Sequence, residues 1–191
     1  IDACMRNLVY QGWITFRMRA MLVSFASYHL WLDWRETGHH LARTFTDYEP
    51  GIHYSQLQMQ SGVTGINALR IYSPIKQSQE HDPEGKYIKQ WVPELASVPV
   101  AYIHEPWTMP PLLQTECGIQ IGQDYPAPIV DHQTAIRSAR EQISAVRKQS
   151  DFRDKAGKVF QKLGSRRRQP QRRKKLHPNP SDDQLSMDLD D

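Results

Sequence analysis

The chain predicts an all-α fold, an irregular set of helices with long connecting loops and a disordered C-terminal tail. Three observations carry this. Apolar residues recur at three- and four-residue steps in several windows. Prolines and glycines interrupt those windows at uneven intervals. After Gly164 the composition changes abruptly to charged, low-complexity sequence.

From Asp2 to Phe45 the periodicity predicts three helices. Met5, Leu8 and Val9 form one apolar stripe, and Ile14, Met18, Met21, Leu22 and Phe25 form the next. Leu30, Trp31 and Trp34 continue it past a joint near Tyr28–His29, with Gly12 and Gly38 as stops. Residues 47–65 break the pattern, because Pro50-Gly51 marks a turn and Gln56, Gln58 and Gln60 alternate with Leu57 and Met59. That segment reads as loop or extended chain, with a tight turn at Gly62 and Gly65. Ser73-Pro74 reads as an N-cap followed by proline at the first helical position. Asp82–Gly85 reads as a turn, and Tyr87–Trp91 as a short helix closed by Pro93. The prolines between Pro99 and Pro128 leave room for short helices only, so this part is expected to wrap over the surface. Asp131 then caps a helix carrying Ile136, Ala139, Ile143 and Val146, with a weaker continuation through Val159, Phe160 and Leu163. The expected division is a helical domain over 1–150, a helix extension or linker over 151–164, and a disordered tail over 165–191.

Charge is divided unevenly along the chain. Residues 1–150 hold 13 Lys/Arg against 14 Asp/Glu, whereas residues 151–191 hold 11 against 7, so the formal net charge of +3 belongs to the tail. Within that tail SRRRQPQRRKK carries seven basic residues and SDDQLSMDLDD five acids, too little apolar surface to offset chain entropy. The two cysteines, Cys4 and Cys117, form no C-x-x-C. This argues against a disulfide scaffold or a cysteine-held metal and suits a reducing, cytoplasmic compartment. No apolar run approaches the ~18 residues of a membrane span. The sequence begins at Ile1 without a signal-peptide pattern, and is expected to start inside a longer protein. His39-His40 with Glu36 could be drawn as metal ligands, but adjacent histidines point apart on a helix, and no metal is expected.

Four motifs stand in one order. Gly12-Trp13-Ile14-Thr15-Phe16-Arg17-Met18-Arg19 comes first, followed by Leu32-Asp33-Trp34-Arg35-Glu36. Asp47, the triplet Leu57-Gln58-Met59 and the small-residue run Ser61–Gly65 come next. RIYSPIKQSQEHDPEGKYIKQWVPEL over Arg70–Leu95 completes the series. Together they resemble the FAD-binding domain of the photolyase/cryptochrome family, whose G-W-x-x-N-R-x-R-M helix, D-W-R motif, aromatic-Gln-aromatic triplet and R-I-F-N-P…W-V-P-E-L element stand in this order. From Pro99 to Ser150 the likeness is weaker, and the tail has no counterpart.

The resemblance implies one FAD per complete protein, in a helical pocket that needs small residues for close approach and a few polar groups at the ring edge. Arg19 would face the flavin edge and pair with Asp47, and Trp13 belongs to the same helix motif. A fixed cation there favours the negatively charged reduced ring. His53 falls at the position facing flavin N5, where an imidazole could govern protonation near neutral pH. Trp34 matches an electron-relay tryptophan. The next tryptophan inward is replaced by Leu57, so the usual chain is broken, and Trp31, Tyr54 and Tyr28 are the rings nearby in sequence. Arg17 matches an arginine that contacts the damaged DNA strand. The positions that line the cavity for a flipped-out pyrimidine dimer hold Phe16, Ala20 and Met59 instead of the usual Asn, Met and aromatic.

The first function implied is the catalytic portion of a light-dependent deoxyribodipyrimidine photolyase-like protein, in which excited reduced flavin donates an electron to a pyrimidine dimer in DNA. A blue-light photoreceptor of the cryptochrome type, without DNA chemistry, is the alternative. A third reading is a flavin-free module that binds nucleic acid or a partner through the basic run, with Arg166, Arg167 and Arg168 on phosphates. DNA is the expected partner, no membrane is expected, and the complete protein is expected to be a monomer. The resemblance also implies a separate N-terminal antenna domain and part of the flavin pocket outside this chain.

Overall fold

The computed structural model describes residues 1–64, 69–149 and 151–163. Among them the chain forms nine α-helices, two short 3-10 turns and one π-helical turn, and no β-strand. In order the α-helices are α1 (Asp2–Gln11), α2 (Phe16–Ser24), α3 (Trp34–Thr44), α4 (Pro50–Gln60), α5 (Pro74–His81), α6 (Lys86–Trp91), α7 (Pro111–Glu116), α8 (His132–Arg147) and α9 (Phe152–Leu163).

Two apolar cores organise them. The first joins Leu8 of α1, Ile14, Met21 and Leu22 around α2, Leu41 and Phe45 at α3, and Leu57 of α4. The second joins Ala3 of α1 to Val92, Leu95, Val98, Ile103, Met109 and Ile119. The proline-rich part is therefore not only a surface wrap. Its turns place Ile103, Met109 and Ile119 inside, each at most 4% exposed.

Local chemistry explains most boundaries. Thr15 caps α2 by accepting from the Met18 N–H, and Asp33 caps α3 by accepting from the Arg35 N–H. Ser73 caps α5 ahead of Pro74, and Asp131 caps α8. Gly12 ends α1 at φ 71°, with the Thr46 methyl where a Cβ would stand. Thr46 donates its N–H to the Gly12 carbonyl (2.9 Å), which ties the loop after α3 to the end of α1.

Four expectations are corrected. Residues 50–60 are helical rather than loop or extended. Glu49 caps them with two backbone hydrogen bonds, and Pro50 occupies the first turn. Gly38 lies within α3 rather than ending it; Leu57 packs there, 2.6 Å from the place of a Cβ, so glycine allows α4 to approach. The chain does break at the expected joint near Tyr28–His29, but the apolar stripe does not carry on beyond it through Trp31. Phe25–His29 form a π-helical turn, and Trp31 takes a left-handed backbone (φ 53°) with its ring exposed. Val9, placed on an inward stripe, is 70% exposed.

α8 packs its buried Ala139 side toward the π turn, where His29 Nε2 and His132 Nδ1 share a hydrogen bond of 2.9 Å. α9 is a separate helix after a break, with Val159 and Phe160 exposed. No helix among the described residues is long and apolar enough to cross a membrane. Of the small-residue run Ser61–Gly65, the first four residues form a turn with Gly62 at φ 76°, while Gly65 and the tail at 164–191 lie outside the described residues.

Candidate functional site

Between α2 and α4 lies a cavity of about 310 Å³, floored by the first core. Ile14, Ala20, Val23 and Leu57 make its apolar walls, and Trp13 and Phe16 stand at the rim with half of their surface exposed. α4 contributes Ile52, His53, Gln56, Leu57 and Gln60. These fall at three- and four-residue steps, which is one face of a helix.

Arg19 is the fixed charge of this cavity. Its Nη2 donates to Asp47 Oδ2 at 2.8 Å, and its Nε donates to the Ile14 carbonyl at 3.0 Å. The guanidinium also lies 4.2 Å from the centre of the Phe45 ring. Three contacts hold one cation, so little conformational freedom remains to be lost on binding an anionic edge. The hydrogen bond from Arg19 holds the Asp47 carboxyl below the usual carboxylate range, despite an opposing effect of burial. The clamp of Thr46 on Gly12 positions Asp47, which is how the glycine of the first motif acts on a carboxylate far along the chain.

His53 lines the same cavity, and its Nε2 lies 2.9 Å from the Gly38 carbonyl. A carbonyl only accepts, so Nε2 is the nitrogen that donates in this contact, and Nδ1 takes no part in it. Edge-on contacts with Phe45, Tyr48 and Tyr54 fix the ring.

Arg19, Asp47, His53 and Trp13 are thus brought together at one cavity, as are Phe16, Ala20 and Leu57. Trp34 is not part of it; it opens α3, half-buried on the first core, with the Arg35 guanidinium 5.0 Å from its ring. Arg17 is exposed on α2 and Met59 half-buried on α4, and neither lines the cavity. Arg166, Arg167 and Arg168 lie outside the described residues. Tyr48, Glu49, Ile52, Gln56 and Gln60 also line the cavity, and the sequence does not single them out, because they sit on or beside a helix whose local pattern is that of a loop. Glu49-Pro50 is the signal that could have found them. No three His, Cys, Asp or Glu side chains converge among the described residues to hold a metal ion.

Residues 1–145 match the FAD binding domain of DNA photolyase. The chain belongs to that family. It is 38% identical over 134 residues to a deoxyribodipyrimidine photo-lyase of Alkalihalophilus pseudofirmus, covering 69% of this chain and 28% of the relative. It is 34% identical over 132 residues to a cryptochrome DASH of Gloeobacter violaceus, covering 69% of this chain and 26% of that protein. The crystal structure of a bacterial class III photolyase from Agrobacterium tumefaciens superposes with a TM-score of 0.72 at 32% identity, over 78% of this chain and 31% of that one. The chain spans between a quarter and a third of the length of these relatives.

The cavity fits the ring system of the family's cofactor. Its volume sits at the lower end of the ~300–1,000 Å³ range of ligand sites, room for a flat aromatic ring rather than for a whole dinucleotide. The Gln56 Oε1 at its edge is buried without a hydrogen-bond partner, which suits a ligand bearing donors of its own.

Proposed function

We propose that this cavity holds the isoalloxazine ring of one FAD, and that the protein is a light-dependent photolyase-like flavoprotein acting on pyrimidine dimers in DNA. The observation that carries this is the Arg19–Asp47 pair at the edge of an apolar, ring-sized cavity. Reduced FAD bound there would supply the light-excited electron for splitting the dimer. Arg19 would set the electrostatics of the ring edge, with Asp47 and the Ile14 carbonyl keeping it in place. His53 would take up or release a proton at Nδ1. Ile14, Ala20, Val23 and Leu57 would exclude water from the ring face. Trp34 on α3 is assigned to electron relay, and Arg17, on the exposed side of α2, to the DNA backbone. In the same proposal residues 1–150 form the flavin domain, and the basic run with Arg166, Arg167 and Arg168 adds phosphate contacts.

A specific observation supports a second reading. Met59 does not line the cavity, and Phe16 and Ala20 replace polar and long side chains that hold a lesion in the family. That favours a cryptochrome-type photoreceptor in which flavin photoreduction changes protein contacts. Blue light, reductant and a dimer-containing oligonucleotide separate the two. Light-dependent loss of dimers supports repair. Undiminished dimers in protein whose flavin photoreduces support the photoreceptor. Flavin binding itself is tested by titration of wild type and Asp47→Asn; equal affinities would remove the ion pair from the site.

A further inference from the structure

Behind one wall of the cavity lies a cluster of aromatic rings. Tyr48 lines the cavity and is 38% exposed. Tyr54, half-buried on α4, stands edge-on to it with ring centres 6.5 Å apart, and the two share His53 as a neighbour at 5.2 Å from each. Tyr54 then reaches α3. Its Cε1 lies 3.7 Å from the place of a Cβ on Gly38, and its ring centre is 6.4 Å from that of His39 on the surface. Gly38 is one helical turn beyond Trp34, and Trp34 and Tyr54 pack on the same core. At Leu57, by contrast, the wall is a buried aliphatic side chain that cannot be oxidised.

We propose that Tyr48, backed by Tyr54, is the electron donor to a light-excited oxidised flavin in this cavity. The inference rests on the flavin reading above. Tyr48 loses one electron to the excited ring and its phenolic proton to water at its exposed edge, becoming a neutral phenoxyl radical, while the flavin gains that electron. Tyr54 then gives an electron and its phenolic proton, so that Tyr48 is restored and the radical moves one ring further from the cavity, toward α3. Trp13 also borders the cavity and is 51% exposed, but it pairs with no other ring among the described residues. A lone donor returns its electron readily, whereas a pair of donors separates the charges. The pair therefore supplies the step that a tryptophan at position 57 would otherwise provide.

Lumiflavin, which is the ring without its ribityl chain, is the probe, added to the full chain. Fluorescence anisotropy reports binding, fluorescence lifetime reports quenching, and electron paramagnetic resonance under blue light reports the radical. Bound lumiflavin should be strongly quenched in wild type, with a phenoxyl signal that narrows when the tyrosines are ring-deuterated. Tyr48→Phe should lengthen the lifetime of the bound fraction several-fold and remove the signal. Tyr54→Phe should keep the quenching but shorten the radical's life. Equal lifetimes in wild type and Tyr48→Phe overturn the proposal, as does quenching relieved only by Trp13→Phe. Failure of lumiflavin to bind the folded chain overturns the flavin reading itself, and this inference with it.

Discussion

The two cores of the domain answer different demands. The second closes tightly. Val92, Leu95, Val98 and Ile103 are at most 2% exposed, and Gly85 at φ 68° admits Ile103 to within 2.6 Å of where a Cβ would stand. Asp82 accepts hydrogen bonds from the Tyr87 and Ile88 N–H groups, and Arg6 grips Glu94 through two bonds of 2.8 and 2.9 Å. The first core instead stops short of closing, leaving a cavity with a fixed guanidinium and an imidazole at its edge. The segment with the densest family signature, Arg70–Leu95, gives the cavity no residue at all. Its motif records how a scaffold is locked, while the cavity is lined by residues between Trp13 and Gln60.

The sharpest way to break this contrast is to damage each core and read both stability and flavin affinity. Leu95→Ala, in the closed core, is expected to cost about 2–5 kcal/mol of stability in urea unfolding. The folded fraction should bind flavin as wild type does. A loss of affinity in fully folded protein would show that the two cores are not separable.

The next largest effect is on pH dependence. His29, stacked between Phe25 and His132 at ring distances of 4.9 Å, is pushed down to about 4 from 6.5, first by burial and then by the neighbouring His132. Between those values the unfolded chain binds a proton that the folded chain refuses. Stability is therefore fullest above pH 6.5 and falls as the pH is lowered toward 4, by at most about 3 kcal/mol for this group. Urea midpoints across that range, in wild type and His29→Gln, should show a shallower slope in the variant. Parallel slopes would place the titrating group elsewhere.

At the open core the expectation reverses. Arg19→Gln removes an ion pair whose Asp47 side chain is 47% exposed, so stability should change by less than about 1 kcal/mol. Flavin affinity should fall about tenfold, or about 1.4 kcal/mol, in a fluorescence titration. A large stability loss with unchanged affinity would make Arg19 a structural residue. The smallest effect concerns the tail. Replacing Arg166, Arg167 and Arg168 by alanine should lower the salt-dependence slope of DNA binding by no more than about 3, at roughly 0.9 per phosphate contact. An unchanged slope would remove the basic run from the DNA contacts.

α5 and α8 are legible in the sequence because Ser73 and Asp131 announce them, and α2 because Ile14, Met18, Met21, Leu22 and Phe25 recur at helical spacing. α4 is not. Gln56-Leu57-Gln58-Met59-Gln60 alternates as a strand would, and Gly51 in the first turn suggests a loop. Burial of Leu57 and Gln60 against neighbouring helices outweighs that local pattern. The Arg19–Asp47 pair is legible only through resemblance, since 28 residues of chain lie between them and no periodicity connects them. The Tyr48–Tyr54 pair becomes visible only once α4 is known to be a helix.

The π-helical turn at Phe25–His29 sets the angular phase of the chain beyond α2. The Leu30 N–H reaches back to the Phe25 carbonyl and the Leu32 N–H to that of Ala26, so the turn carries one residue more than an α-helical one. One residue corresponds to about 100° of rotation about the helix axis. A chain one residue shorter here would close this turn in the α-helical register and present a rotated face to α8.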